Sequence, residues 1–556
     1  MDKDEETRDP YFNDNNHIYI LLSKLLSEVK GFTDKQLDQI RRLNQIGSAL
    51  SAERNLNRLL EMIVDEARGL TNADGGTLYI MSDDDKELHF AIIQNTSLNV
   101  RMGGTGGAIT WPPVKLQNPD GSPNYANVSA YTAITGKVIN ISDVYNAEGF
   151  NFEGTRKFDA ETGYRSTSML VVPMRNHDND IIGVLQLLNA QMDATREVVP
   201  FSFENQSMTE SLASQAAVAI ANNRLIHDLE ELLESFIKTI AMAIDEKSPY
   251  TGGHVRRVSE LTMTIAEKIN ESTEGPYADI HFNEEKLKEL RISAWLHDVG
   301  KITTPEFIID KGKKLETIYD RVETLKSRFE VLKRDYVIEG LKKAGSQKGK
   351  KNWEKAVNDY EKFTEKLKAD FEFLEDINTG TKFMDEKMLD RLNNIAARQW
   401  DLDGNPRNLL SGDELHNLSI SQGTLTNDEK EVIKNHVNVT YKILSQLPFP
   451  KKLKNVTHYA SAHHERMDGA GYPFGLKGDQ IPLQARIIAL ADVFDALTAK
   501  DRPYKKEKTL SEAIKIMGYM VKENHIDADL FELFIKKQVH VDYAKKELTP
   551  HQIDMT

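Results

Sequence analysis

The chain has 556 residues, 40% hydrophobic and 28% charged, with a formal net charge of −15. It contains no cysteine, which excludes disulfides, thiolate metal sites and a cysteine nucleophile. No apolar run approaches the ~18–20 residues of a membrane span, the acidic start "MDKDEETRDP" does not read as a signal peptide, and the negative balance argues against DNA as a partner, so the expected compartment is the cytoplasm.

Residues 1–35 read as a tail followed by a short helix. Over 36–70 the apolar residues recur at steps of three and four, which predicts helix. The period then changes. "GGTLYIMSDDDKELHFAIIQN" (75–95) and "SMLVVPMRNHDNDIIGVLQLLNA" (168–190) each read as strand, polar turn, strand. Between them, 101–165 reads as loop-rich, with "GGTGG" and "WPP". Residues 203–247 form one long helical pattern, whose Ala, Leu and Ile stripe suits either a parallel coiled-coil seam or helices packed on their own domains. From 248 onward no strand alternation persists. Residues 315–378 read as two charged helices broken by "KKAGSQKGKK", the pattern of a helical hairpin; their mixed charges fit solvated faces.

With no thiolate available, a metal site here needs His and Asp/Glu gathered from several helices. The helical half offers such groups in apolar settings. His254 starts a helix, and His297 and Asp298 end an apolar one in "LRISAWLHDVGKITTP". His436 lies along "LTNDEKEVIKNHVNVTYKIL". His463 and His464 stand in "HHERMDGAGYPFG", and Asp492 and Asp495 are embedded in "ARIIALADVFDALTAKDRPY". A buried His–Asp pair costs several kcal/mol unless compensated, and a divalent ion would compensate it. The glycines after His464 permit positive φ and close backbone approach, and Pro473 fixes the loop.

Two resemblances add to this reading. "GYRSTSMLVVPM" followed by "IIGVLQLLNA" resembles a GAF domain, a sensory module with an antiparallel sheet flanked by helices. Cyclic-nucleotide-binding members carry an Asn-Lys, Phe, Asp-Glu signature after the last strand. Here Asn189 is followed by Ala190 and "FSFENQ" has no Asp-Glu pair, so a small-molecule ligand and a structural or dimerising role both stay open. "GHVRRV", "LHDVGK", "NHV", "HHERMDGAGYP" and "ALADVFDALTAKDRPYK", in that order, resemble the HD-GYP subfamily of HD metal-dependent phosphohydrolases over about 240–315 and 420–535.

The implied fold is multidomain: an α+β GAF-like domain over 36–202, a connecting helix over 203–247, and an all-α HD-GYP domain over 248–556 with a helical insertion at about 315–420. The implied activity is hydrolysis of a cyclic dinucleotide, cyclic di-GMP first and cyclic GMP-AMP second, with another phosphoester or non-catalytic binding as rivals. The implied cofactors are two divalent ions, iron or manganese. Asp298 would bridge them, His297 and Asp492 would complete one, and His436, His463 and His464 the other, with His254 joining the cluster. Lys301 would stabilise phosphate charge or protonate the leaving oxygen, and Arg502 and Lys505 would grip the second phosphate. Arg466 would touch substrate or pair with an acid, and Tyr472, with Asp468, would shape the loop beside the substrate. Three-metal members carry a Glu four residues before the first His; that position here is Tyr250, so two metals are expected. A homodimer through the connecting helix is also expected.

Overall fold

A computed structural model describes residues 11–247, 253–345, 350–402, 404–499 and 507–555. The chain divides into two compact units, Met1–Glu231 and Leu232–Thr556. Among the described residues no helix is long and apolar enough to cross a membrane.

The first unit opens with the helix Tyr11–Ala52, so the boundary expected near residue 35 is absent. The break comes later. Asn55 has extended backbone and its side chain accepts the Arg58 N–H (3.1 Å), capping the helix Leu56–Thr71. An N-cap of this kind satisfies a donor that the first turn leaves unpaired.

The sheet comprises β1 (Ala73–Met81), β2 (Glu87–Asn95), β3 (Val100–Gly103), β4 (Val114–Lys115), β5 (Ile139–Ile141), β6 (Met169–Arg175), β7 (Ile181–Gln191) and β8 (Val198–Val199). Its order is β3-β2-β1-β7-β6-β5, with β4 beside β2 and β8 beside β7; every pairing is antiparallel. Successive side chains point to opposite faces. Leu78, Leu170 and Leu185 enter a core with Ile63 and Ala216, while Tyr79, Val171 and Val184 enter another with Val128 and Ala130. Covering both faces explains why these strands are apolar throughout. The loop-rich reading of 101–165 needs correcting: β3, β4 and β5 lie there, with the helices Val128–Thr135 and Glu153–Thr162. These elements are too short for periodicity to register.

The helix Phe203–Asp245 runs across the division between the units. In the second unit a helical core gathers Val258, Leu261, Leu290, Ile488, Phe494, Leu510 and Phe534. The segment inserted between Leu290 and Ile488 of that core forms a core of its own around Leu325, Phe329, Leu374, Leu392 and Leu418, built on the helices Val322–Gly345 and Lys350–Asn378. It also contains a hairpin that the sequence reading missed, β9 (Gln399–Leu402) with β10 (Asn405–Asn408). Gly404, at φ 79°, turns it.

Lys314 is buried in this segment, its Nζ donating to the Leu418 (3.1 Å) and Ile420 (2.7 Å) carbonyls. Burial pushes its ammonium down to about 8. The folded chain therefore binds that proton less tightly than the unfolded chain. Stability should rise with pH between about 8 and 10.5, with a slope of at most about 1.4 kcal/mol per pH unit. Denaturant unfolding of the insertion, followed by hydrogen exchange, should show this slope in the native chain. The Lys314→Met variant should lack it.

Candidate metal centre

Five segments of the second unit converge on one point. His254 is the first residue of the helix His254–Asn270. His297 and Asp298 follow the helix Glu284–Leu296, where the chain tightens into the 3-10 turn Val299–Thr303. His436 lies in the helix Asn427–Leu444, His463 and His464 follow Val456–Ser461, and Asp492 lies in Leu483–Thr498. Gly300 makes the convergence possible. A Cβ there would stand 1.9 Å from the His436 carbonyl oxygen. Its N–H instead donates to Thr440 Oγ1 (3.0 Å), which in turn donates to the His297 carbonyl (3.2 Å).

Asp298 stands in the middle. Its Oδ2 lies 3.2 Å from His297 Nε2 and 3.6 Å from His254 Nε2. Its Oδ1 lies 3.2 Å from His436 Nε2 and 3.9 Å from His463 Nε2. Each oxygen thus faces a different group of imidazoles. His254, His297 and Asp492 bring ligand atoms within 4.8 Å of one another, as do His436, His463 and His464, and as do His297, Asp298 and His463. His254, unplaced by the sequence reading, stands with His297 and Asp492.

The donor atoms are held ready. His297, His436 and His463 each turn Nδ1 to the carbonyl three residues earlier, of Ala294, Ile433 and Ala460. His254 Nδ1 lies 2.7 Å from Asp495 Oδ2. Fixing Nδ1 as the protonated nitrogen leaves the Nε2 lone pair for a metal. His297 Nε2, His436 Nε2, His463 Nε2 and Asp298 Oδ1 are buried with no hydrogen-bond partner among the described residues. Four such atoms aimed at one place are costly to leave unmatched. Divalent ions with nitrogen and oxygen ligands fit them.

The electrostatics agree. Burial and the neighbouring His464 and His297 hold His463 well below its ordinary value, and burial pushes His464 down to about 4. Both are neutral imidazoles at ordinary pH. Burial disfavours charge on Asp298, but Lys301 and His297 outweigh it and hold the carboxyl well below the usual range. Asp492 is likewise lowered against its burial by the hydrogen bond from His254.

The sequence reading gave several supporting groups no role. Asp495 is fully buried, lowered to about 2 despite burial by His254 and Arg257. It also accepts from Arg257 Nε (2.6 Å) and from the Tyr543 hydroxyl. Its spacing from Asp492, one helical turn, was the available signal. Glu465 accepts the backbone N–H of Phe474 (2.6 Å), Gly475 (3.2 Å) and Leu476 (2.9 Å), anchoring the glycine-rich loop. Asp245, the last residue of the long helix, accepts the Val255 N–H (3.3 Å) at the start of the His254 helix. Lys247 Nζ donates to the Ile302 (2.6 Å) and Thr304 (2.9 Å) carbonyls, beside the turn that carries Lys301.

The other expected site residues are distributed unevenly. Lys301 ion-pairs with Asp298. The Tyr472 ring lies 5.0 Å from that of His464. Of the two roles open to Arg466, the structure contains the acid pair, Nη2 to Asp468 Oδ2 at 2.7 Å. Arg502, Lys505 and Tyr250 lie outside the described residues.

Residues 55–220 match the GAF domain family, and 251–368 and 411–530 match HD domain families. A 141-residue stretch is 39% identical to a probable cyclic di-GMP phosphodiesterase of Vibrio cholerae, covering 23% of this chain and 30% of that protein. A 95-residue stretch is 46% identical to the cyclic di-GMP phosphodiesterase response regulator RpfG of Xanthomonas campestris pv. campestris, covering 17% and 25%. A third, of 135 residues, is 38% identical to 3′3′-cGAMP-specific phosphodiesterase 3 of Vibrio cholerae, covering 24% and 28%. The chain thus spans less than a third of the length of each of these relatives. With the antiparallel sheet of the first unit and the His–Asp cluster of the second, these matches make the chain a GAF domain followed by an HD domain similar to those of cyclic dinucleotide phosphodiesterases.

Proposed function

We propose that the chain is an HD-GYP-type phosphodiesterase that hydrolyses a cyclic dinucleotide, cyclic di-GMP first, under control of its GAF domain. The observation that carries this reading is Asp298, with one oxygen toward His254 and His297 and the other toward His436 and His463. In the proposed arrangement His254, His297 and Asp492 hold one divalent ion, iron or manganese. His436, His463 and His464 would hold a second, with Asp298 between the two groups. Ions bound there would polarise a phosphodiester and lower the pKa of the attacking water.

The chain's own residues do the rest. The Nδ1 locks on His297, His436 and His463 keep the ligand nitrogens aimed without reorganisation. Lys301, beside Asp298, meets negative charge on the phosphate and supplies a proton to the leaving oxygen. Tyr472 closes one side of the site. Arg502 and Lys505, by their place after Asp492, take the second phosphate. Cyclic GMP-AMP is the second substrate reading, favoured by the similarity to a relative named for it. The complete ligand set argues against a receptor without turnover.

The cavity in the first unit, about 680 Å³ and lined from β1, β2 and β7, is the proposed sensory ligand site. A homodimer is also part of this reading. On the helix Phe203–Asp245, Val218, Leu225, Leu229, Leu232 and Phe236 are exposed at steps of seven, four, three and four, the repeat of a coiled-coil seam. On the helix Tyr11–Ala52, exposed Leu22, Leu25, Val29 and Phe32 follow the same rule. Stripes at this spacing on long helices suit the same stripes of a second copy.

Purified with iron or manganese, the chain should linearise cyclic di-GMP. The Asp298→Ala variant should lose turnover by at least a thousandfold together with its metal, read by chromatography and elemental analysis. A wild-type chain that binds two ions and cleaves neither cyclic di-GMP nor cyclic GMP-AMP would overturn the substrate reading. Asp495→Asn, which disturbs the hydrogen-bond partner of His254, should weaken metal binding about 10–100-fold in titrations of the metal-stripped chain, with helical circular dichroism unchanged. Leu229→Glu should shift the chain from dimer to monomer in sedimentation equilibrium.

A further inference from the structure

The cavity of the first unit has a chemistry of its own. Its volume, about 680 Å³, lies within the range of sites that enclose small organic ligands. One wall is aromatic. The Tyr79 and Phe90 rings lie 4.7 Å apart, Phe90 and Trp111 5.4 Å, and Trp111 and Phe158 5.9 Å. Trp111 is 40% exposed although it belongs to this ring series. Such a wall suits the face of a planar ring.

The polar lining is biased toward donors. Asn127 Oδ1 accepts the Ala130 N–H (3.0 Å), Asn151 Oδ1 the Glu153 N–H (2.8 Å) and Gln94 Oε1 Arg68 Nη1 (3.0 Å). Gln186 Oε1 accepts from the Ser129 hydroxyl (3.0 Å). In each case the amide oxygen is committed to the protein. The NH₂ groups of these four side chains have no partner among the described residues. An amide has two donors and an oxygen with two lone pairs, one of them used here, so what remains at the cavity wall is mainly donor capacity.

The charges point the same way. Among the described residues no Lys, Arg or His lines the cavity, and Glu153 is the one carboxylate that does. The Arg68 guanidinium, which holds Gln94, is also bonded to the Asp74 carbonyl (3.0 Å). A phosphate group would enter without a cation and beside a carboxylate. Burying an unpaired anion costs several kcal/mol.

We infer that this cavity binds an uncharged, planar heteroaromatic molecule whose edge carries carbonyl or ring-nitrogen acceptors, of the purine-nucleoside type, and rejects its phosphorylated forms. This rests on the reading of the cavity as the sensory site, and supplies its ligand class. Ring stacking would come from Phe90, Trp111 and Phe158, acceptor recognition from the four amides, and an exocyclic amine would meet Glu153.

The test is calorimetric titration of the full chain with guanosine, adenosine and 3′,5′-cyclic GMP. Guanosine and cyclic GMP share base and sugar and differ in the charged cyclic phosphate. At least one nucleoside should bind, at least tenfold more tightly than cyclic GMP. Asn151→Asp keeps an oxygen that accepts the Glu153 N–H and replaces the amide donors with a negatively charged acceptor. It should weaken that binding at least tenfold, as should Trp111→Leu, with the thermal unfolding profile unchanged in both. If cyclic GMP binds as tightly as guanosine and both variants weaken it, the cavity is a ligand site and the inferred class is wrong. If no probe gives a signal that the variants alter, the class and the cavity reading both fall.

Discussion

The second unit depends on a buried carboxylate that no single protein cation neutralises from every side. Asp298 is 3% exposed and is faced by imidazoles on four segments, each with Nε2 toward its carboxylate. An isolated charge in such a place costs several kcal/mol, and so do unmatched polar atoms around it. Lys301 and His297 offset part of that cost, and divalent ions between the candidate ligands would match the atoms left without partners. A metal bound there would couple its binding to the folding of this unit. The helices converge because their ligands must, and the apolar cluster around Leu261, Ile488 and Phe494 gives the rigid frame that holds them there.

Precision comes from groups that touch no ligand atom directed at the metal. The three carbonyl locks use the helix backbone itself, so the orientation of His297, His436 and His463 follows from helix geometry. His254, the first residue of its helix, has Asp495 at its Nδ1 instead of a helix carbonyl. Gly300 and Gly471 are spacing devices. A Cβ at Gly471 would meet the Arg466 nitrogen at 2.4 Å, so the loop after His464 folds back tightly over its own start, where Glu465 anchors it. Asp245 and Lys247, at and just beyond the end of the long helix, hold the His254 helix and the Lys301 turn respectively. A rotation of that helix end would act on both segments of the candidate site at once.

Much of this was legible in the sequence. The strands at 75–95 and 168–190 announce themselves because each is long, apolar and closed by an acidic or Asn-rich turn. The candidate metal ligands that the structure brings together are legible because each sits in a compact motif, and a buried His–Asp pair at the end of an apolar helix is costly unless compensated. The residues that orient them were not. Asp495 was visible but its partner His254 lies 241 positions away, and the Gly300–Thr440 contact spans 140. The uninterrupted helix through residue 35 was missed because Gly31 and Thr33 weaken the local pattern. The hairpin of the insertion was missed because four-residue strands carry too little periodicity to register.

The most direct test of the account is the metal–metal separation in the loaded chain, read from anomalous diffraction or X-ray absorption. The arrangement around Asp298 predicts two ions about 3.5–4 Å apart, one beside His254, His297 and Asp492 and the other beside His436, His463 and His464. A single ion, or two ions too far apart for one carboxylate to span, would contradict it.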